Sequence, residues 1–216
     1  YYLAIEYFDG APKFEARFKV NSTDAGWKDV RSTTTPLINK WYHVVSTYKR
    51  EDNKEDNKIK LYVNGIAETI NSSIQSNNFI TTSNEPLHFG ALSMGGGTYN
   101  SHLDGKIDEV GIWNNALTAN EITDLYNFGK ALDARSNSGN YTSTSNLVGY
   151  WKMEDGSGTT LTDVSSYGND GTINGASWTT GILSTSYDNT PASYGNSLSF
   201  DGNNDLVSIQ PSASIL

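Results

Sequence analysis

The segment Asp163–Asp170, with the sequence DVSSYGND, combines two carboxylates, one carboxamide and a glycine carbonyl in a polar stretch. Calcium takes about six to eight oxygen ligands, and irregular loops supply such oxygens from side chains and backbone. The same residue types also form Asx turns, in which Asp and Asn side chains accept hydrogen bonds from nearby backbone N–H groups. The pattern therefore indicates either a calcium loop or a network of Asx turns.

Two further acidic segments resemble cation sites less well. The turn Asp201–Asp205 (DGNND) is more typical of a β-hairpin. The charged segment Arg50–Lys58 (REDNKEDNK) lacks the glycine and the terminal glutamate of an EF-hand loop, and its lysines oppose cation binding. We interpret this segment as the solvated tip of a hairpin.

Aromatic residues outside the predicted strand cores are the candidates for a ligand platform. Sugars pack their C–H faces on aromatic rings. Trp27, Tyr99 and Tyr167 lie in polar or glycine-containing stretches where a ring can serve that purpose. The alternative for each ring is ordinary packing within its loop.

The composition narrows the class of protein. The 216 residues carry a formal net charge of −9, and 36% of them are hydrophobic, a fraction that supports a folded core. An acidic surface repels phosphate backbones, so we expect no nucleic-acid partner. No apolar run approaches the roughly 18 residues of a membrane span, so we expect no membrane insertion. The chain begins without Met and already in a strand pattern, which favours an excerpt or a processed piece.

Short strands joined by turns are the elements that must position these residues. Asp9-Gly10 and Asn64-Gly65 are dipeptides that tolerate the positive φ angles of tight hairpins. Between Lys58 and Asn64, apolar and polar residues alternate, as in a strand with one buried face.

The sequence predicts one short helix near residues 119–127. Thr118 and Glu121 have the spacing of a capping box, and Gly129 is expected to end the helix. The stretch 131–146 then loses its hydrophobic periodicity, which is typical of a linker.

Two sets of motifs resemble a laminin-G-like domain of the concanavalin A-like lectin/glucanase superfamily. The later marks of that family pattern lie within the first 130 residues, and its opening marks follow residue 147. The later marks are Trp41–Val45, Leu61–Gly65 and Ile107–Val110, followed by the helix. The opening marks are Tyr150-Trp151, Asp155–Gly158, Asp163–Ser165, Asn169–Thr172 and Phe200–Asp205.

The resemblance implies an all-β fold, an antiparallel two-sheet jelly-roll sandwich with one short helix. Residues 1–130 would hold the later strands and closing helix of one unit, 131–146 a linker, and 147–216 the opening strands of a unit. The C-terminal part of the pattern comes first, which has two explanations. Either the chain is a window of a tandem array, or it is a permuted single sandwich in which residues 147–216 complete the first part. Both leave exposed strand edges for neighbouring chains or repeat copies.

The resemblance also implies a function and a set of site residues. It makes Asp163, Asn169 and Asp170 loop ligands of a structural calcium ion, with Asp108 as a ligand from the late strand. Glucanases of the superfamily carry a Glu-x-Asp-x-x-Glu motif, and this sequence has none. His43, His88 and His102 are isolated, with no Ser or Cys context suggesting a triad.

We therefore expect a non-catalytic extracellular recognition module that binds a glycan or a surface protein within a larger protein. The alternative is a structural or adhesion module of a virion, in a capsid, tail or fibre, or of another surface assembly. Both interpretations predict a secreted, cell-surface or virion location.

Overall fold

The computed structural model describes residues 2–21, 27–49, 58–68, 79–80, 85–130, 132–181, 183–185, 191–193 and 195–214. The chain divides into two compact units, each made of two segments. The first unit is Tyr1–Thr82 with Asn115–Ser143, and the second is Ser83–Asn114 with Thr144–Leu216. Residues 50–57 lie outside the described residues, so the hairpin-tip interpretation of that segment stays a prediction.

The described residues of the first unit form two antiparallel sheets. Its strands are β1 (Tyr2–Phe8), β2 (Ala11–Asn21), β3 (Trp27–Arg31), β4 (Val44–Lys49), β5 (Lys58–Val63), β6 (Ile66–Ala67) and β7 (Phe79–Ile80). One sheet has the order β1-β2-β3, with β7 also pairing with β2, and the other has the order β4-β5-β6.

Local sequence explains the two hairpins of this unit. Asp9 and Gly10 have φ angles of 50° and 79°, and Asn64 and Gly65 have φ angles of 52° and 77°. Two successive positive φ angles match the right-handed twist of the flanking strands, which is why Asp-Gly and Asn-Gly occupy these positions. Both predicted hairpins are confirmed, β1–β2 and β5–β6.

The core of the first unit lies between side chains of its two sheets. Phe14, Ala16, Phe18 and Val30 come from β2 and β3, and Ile59, Leu61 and Val63 come from β5. These residues alternate along their strands with residues of the opposite face, of which Glu15 and Tyr62 are buried as well.

The single α-helix of the described residues, α1 (Ala119–Tyr126), also belongs to the first unit and confirms the predicted helix. Its capping box is formed as predicted: Thr118 accepts a hydrogen bond from the Glu121 backbone, and Glu121 accepts one from the Thr118 backbone. The helix ends earlier than predicted, because Asn127 is the C-cap residue, in the left-handed conformation with φ 41°. Gly129 lies beyond this cap.

The second unit contains the remaining strands. They are β8 (Leu87–Phe89), β9 (Leu92–Gly95), β10 (Thr98–Asn100), β11 (Asp104–Ile107), β12 (Val110–Trp113), β13 (Leu147–Trp151), β14 (Thr160–Leu161), β15 (Gly171–Asn174), β16 (Ser177–Thr180), β17 (Leu183–Thr185), β18 (Pro191–Ser193), β19 (Asn196–Asp201) and β20 (Leu206–Ile209). The sheets are β14-β15-β20-β8, β11-β19-β16, β12-β13, β9-β10 and β17-β18.

Strands from both segments form the core of the second unit. Strand β8 pairs with β20, β11 with β19 and β12 with β13, and all three pairs are antiparallel. The buried cluster is Phe89, Trp151, Met153, Leu161, Ile173, Leu198, Phe200, Val207 and Ile209. Residues 147–214 thus fold together with residues 87–113. The assignment of residues 1–130 and 147–216 to two copies or to one permuted unit stays a prediction.

The predicted fold class is confirmed: the described residues form antiparallel sheets with one short helix. Two details differ from the sequence prediction. The turn Asp201–Asp205 is not a hairpin, because β19 and β20 pair with strands of different sheets. The stretch Asp104–Trp113 is two strands instead of one, because Glu109 has a φ angle of 54° that interrupts the extended chain. Within the described residues, no helix is long and apolar enough to cross a membrane.

Candidate functional site

The loop Asp163–Asp170 connects β14 to β15 in the second unit. Its first residues lie beside β13, since Asp163 forms a β-bridge with Trp151 and the Val164 N–H donates to the Tyr150 carbonyl over 2.8 Å. The loop is therefore anchored to a strand whose residues are all buried.

Asp163 organises the loop through its carboxylate. One oxygen, Oδ1, accepts from the backbone N–H groups of Tyr150 and Ser165, each over 2.8 Å. The other, Oδ2, accepts from the Asn169 backbone over 2.8 Å and from the Ser165 hydroxyl over 2.9 Å. The Asp163 residue is only 5% exposed, so these four hydrogen bonds replace the solvation of a buried charge.

Asn169 joins the loop to two other segments of the second unit. Its Nδ2 donates to the Val148 carbonyl over 2.8 Å, and its Oδ1 accepts from the Ser212 hydroxyl over 2.6 Å. Its carbonyl accepts from Trp151 Nε1 over 3.0 Å. Ser214 also donates to Asn169 Oδ1, over 3.3 Å. The sequence prediction missed Ser212 and Ser214, because they lie more than 40 residues later in the chain and no local motif marks them.

The geometry of this loop corresponds to the Asx-turn alternative. Asp170 Oδ1 accepts from the Asp163 N–H over 2.9 Å, so all three loop residues predicted as ligands lie together and bond within the protein. A calcium ion needs carboxylate and carbonyl oxygens directed at one point. Both oxygens of Asp163 instead accept two hydrogen bonds each, directed at donors of the chain.

Asp108 lies between β11 and β12, on the segment that leads into the strand paired with β13. Its neighbour Glu109 accepts a hydrogen bond from the Tyr150 hydroxyl. Within the described residues, no three or more His, Cys, Asp or Glu side chains form a group that could hold a metal ion, so Asp108 does not complete such a group with Asp163 and Asp170. The residues do not fit a calcium ion in this arrangement. Calcium binding stays a prediction that the loop geometry does not support.

The three aromatic candidates lie in different environments. Tyr167 is at the tip of the loop just described, is 48% exposed, and its N–H donates to the Ser165 hydroxyl over 3.3 Å. Tyr99 lies in β10 and is partly buried, with its ring edge-on to the His88 ring at a centroid distance of 5.0 Å. Trp27 begins β3, and its side chain lies outside what the structure describes. Tyr167 is thus the candidate whose ring is available on a fixed loop.

The turn after β19 is also built from Asx contacts. The Asp201 N–H donates to Asp205 Oδ2, and the Asn203 N–H donates to Asp201 Oδ1, each over 2.9 Å. The hydrogen bonds from Asn203 hold the pKa of Asp201 below its usual value. The two acidic segments of the second unit are therefore both structural turns.

The family of the chain follows from its sequence and agrees with this architecture. The chain belongs to the concanavalin A-like lectin/glucanases superfamily, because a laminin G family model of that superfamily matches residues 2–123. Comparisons with curated proteins and with solved structures give no match. The resemblance of residues 1–130 to a laminin-G-like domain is confirmed. The resemblance of residues 147–216 to the opening of such a domain lies outside the match and stays a prediction.

Proposed function

We propose that this protein is a non-catalytic recognition module that binds a glycan through the exposed loop Asp163–Asp170, as part of a larger extracellular protein. Membership of the superfamily supports a carbohydrate-binding or adhesion-type module in general. The observation that supports glycan binding by this loop is the exposure of Tyr167. This residue is 48% exposed, and the Asp163 carboxylate fixes the loop that carries it.

A fixed loop favours binding because little conformational freedom remains to be lost when a ligand docks. The Tyr167 ring offers an apolar face to the C–H groups of a sugar, while its hydroxyl can bond to a sugar hydroxyl. Ser166 and Asp170 are exposed beside it and add a hydroxyl and a carboxylate as polar contacts. An aromatic face flanked by polar groups is the chemistry that recognises a neutral glycan.

The non-catalytic part of the proposal rests on how the carboxylates are used. Retaining hydrolysis needs two carboxyl groups about 5 Å apart across a sugar. Asp163 accepts four hydrogen bonds, three from the loop and one from the Tyr150 backbone in β13, and Glu109 accepts one from the Tyr150 hydroxyl. The sequence also lacks the Glu-x-Asp-x-x-Glu motif. Superfamily members of the laminin G type are typically binding modules.

The test is binding of the wild-type chain to an array of neutral glycans, compared with two variants. We expect Tyr167→Ala to weaken binding to the preferred glycan about fivefold, since stacking on an aromatic ring contributes of the order of 1 kcal/mol. Phe128→Ala is the matched control, because Phe128 is an aromatic residue of the first unit that is 89% exposed. Equal binding by wild type and Tyr167→Ala, or no binding to any glycan, would contradict the proposal.

One observation favours the second candidate function, a structural or adhesion module of a surface assembly. Among the described strands, β1 pairs only with β2, and it carries exposed apolar side chains, which suits contact between chains.

A further inference from the structure

The two sulfur-bearing side chains of this protein lie in opposite environments of the second unit. They are Met94 and Met153, because the sequence has two methionines and no cysteine. Met94 is 60% exposed, whereas Met153 is 1% exposed. Two-electron oxidants such as hydroperoxides convert a methionine thioether to a sulfoxide. We therefore expect the two methionines to differ sharply in their reactivity.

Met94 lies at a point where the pairing of its strand is interrupted. It belongs to β9, which pairs antiparallel with β10. Gly95 is opposite Thr98 and Ser93 is opposite Tyr99, so no residue of β10 is opposite Met94. The extra residue of such a β-bulge is left unpaired, and the bulge changes the direction of its side chain. Met94 is accordingly the exposed residue of a strand whose other residues are half-buried.

The turn that follows Met94 adds no side chain that would cover it. Residues 95–97 are three glycines, with φ angles of 85°, 62° and 78°. Apart from their chain neighbours, no heavy atom lies within 4 Å of the place that a β-carbon on any of them would take. A small oxidant can therefore approach the Met94 thioether without displacing a neighbouring side chain.

Met153, in contrast, is held inside the core of the second unit. It follows β13 and belongs to the buried cluster that also contains Trp151, Leu161 and Phe200. Its backbone has a φ angle of 56°, which is rare for a bulky residue. The burial of its side chain offsets the cost of this conformation. An oxidant therefore reaches the Met153 sulfur only when the core opens.

The two sulfoxides also differ in their effect on the fold. Oxidation turns an apolar thioether into a polar group. At Met94 this group remains in contact with water, so the hairpin of β9 and β10 loses little stability. At Met153 the same group would lie among apolar side chains, and burial of a polar group without a hydrogen bond is costly. Met94 is thus the methionine whose oxidation is compatible with the folded chain.

We propose that Met94 is a reversible oxidation site, at which hydroperoxides form methionine sulfoxide without unfolding the second unit. The sulfur attacks one peroxide oxygen, so that an S–O bond forms and the O–O bond breaks. The transferred hydroxyl gives its proton to the departing oxygen, which leaves as water or an alcohol. The sulfur loses two electrons and the peroxide gains them. Sulfoxide reductases reverse the change. The inference does not depend on glycan binding.

The first test follows the oxidation of the folded wild-type chain by dilute hydrogen peroxide, with peptide mass spectrometry to locate each added oxygen atom. We expect Met94 to react at least about tenfold faster than Met153, because opening of a core costs a large part of the free energy of unfolding. In urea, where both residues are exposed, the two rates should become similar. Equal rates in the folded chain, or an unreactive Met94, would overturn the proposal.

The second test examines whether oxidation at Met94 is tolerated and reversed. We expect the singly oxidised chain to keep the melting temperature of the untreated chain. The two methionine sulfoxide reductases, one for each epimer, should remove the oxygen from the folded protein. Met94→Leu is the matched control, because leucine keeps an apolar side chain of similar size and has no sulfur. Peroxide should add no oxygen to this variant under the same conditions.

Two results of the second test would refute the proposal. One is a melting temperature that peroxide lowers in wild type and leaves unchanged in Met94→Leu, since oxidation at Met94 would then damage the fold. The other is a Met94 sulfoxide that the reductases remove only after the chain has been unfolded in urea.

Discussion

Replacing Asp163 by alanine should destabilise the second unit strongly, because one buried carboxylate satisfies donors from three residues. Its oxygens accept the backbone N–H groups of Tyr150, Ser165 and Asn169 and the hydroxyl of Ser165, over 2.8–2.9 Å. The bonds from Tyr150 and Asn169 are fully buried. A buried donor left without an acceptor costs about 1–3 kcal/mol. Two such donors give a loss of about 2–6 kcal/mol in the free energy of unfolding.

That loss is large compared with the roughly 5–15 kcal/mol by which a folded domain is stable. Urea unfolding gives the free energy, and amide hydrogen exchange locates the effect. We expect the Tyr150, Ser165 and Asn169 amides to lose protection in Asp163→Ala before the rest of the second unit does. Asp163→Asn should cost less, because the amide keeps the size of the side chain and one acceptor oxygen.

Asp155→Ala is the matched control for this experiment. Asp155 is an exposed carboxylate in the same unit, and it accepts from the Thr162 N–H over 3.0 Å and from the Thr162 hydroxyl over 2.6 Å. Water can replace it at both donors, so its removal should cost no more than about 1 kcal/mol. If Asp163→Ala and Asp155→Ala were equally stable, the loop would not depend on the carboxylate of Asp163, and the reasoning would be refuted.

Two further predictions concern solution conditions. Because the Asp163 carboxylate already has protein donors, we expect the melting temperature to be the same in EDTA and in calcium. If EDTA lowered the melting temperature and calcium restored it more than magnesium did, a cation would be shown to hold the loop. Burial lowers the pKa of His43 from its ordinary value of 6.5 to about 4. At a pH between these two values, the unfolded chain therefore binds a proton at His43 that the folded chain does not bind. The neutral ring thus contributes stability above pH 6.5 that is lost as the pH falls towards 4, about 2–3 kcal/mol between pH 7 and 4.5. His43→Phe, which keeps a ring next to Tyr126, should lose less stability over that range in urea unfolding; an identical loss would exclude His43 as its source.

Local signals predicted the elements that depend on a few neighbouring residues. The capping box of Thr118 and Glu121 and the hairpin turns at Asp9-Gly10 and Asn64-Gly65 form as the sequence indicates. Each of these features is decided within about four residues by backbone φ preferences and nearby hydrogen bonds. The fold class follows from the same signals together with the family motifs.

Features that depend on distant partners could not be predicted. For the loop at Asp163, the sequence was compatible both with a calcium site and with Asx turns. The choice between them depends on hydrogen bonds from distant residues, namely the Tyr150 N–H and the hydroxyls of Ser212 and Ser214. The break at Glu109 was also missed, because a Glu at positive φ has no signature of its own and its side chain bonds to Tyr150. Tyr99 looked like an exposed platform, but His88 packs against it.

The interleaved order of the two units has a consequence for synthesis of the chain on the ribosome. Strand β11 ends at Ile107, but its partner β19 begins only at Asn196. At about 5–20 residues per second, roughly 5–20 s separate the emergence of the two strands. The helix and the end of the first unit, up to Ser143, are made within that interval. Strands β8 to β12 are therefore made before all of their partner strands, and they remain partly unpaired while the rest of the first unit is synthesised. A chaperone that shields extended apolar strands would act on this segment during that interval.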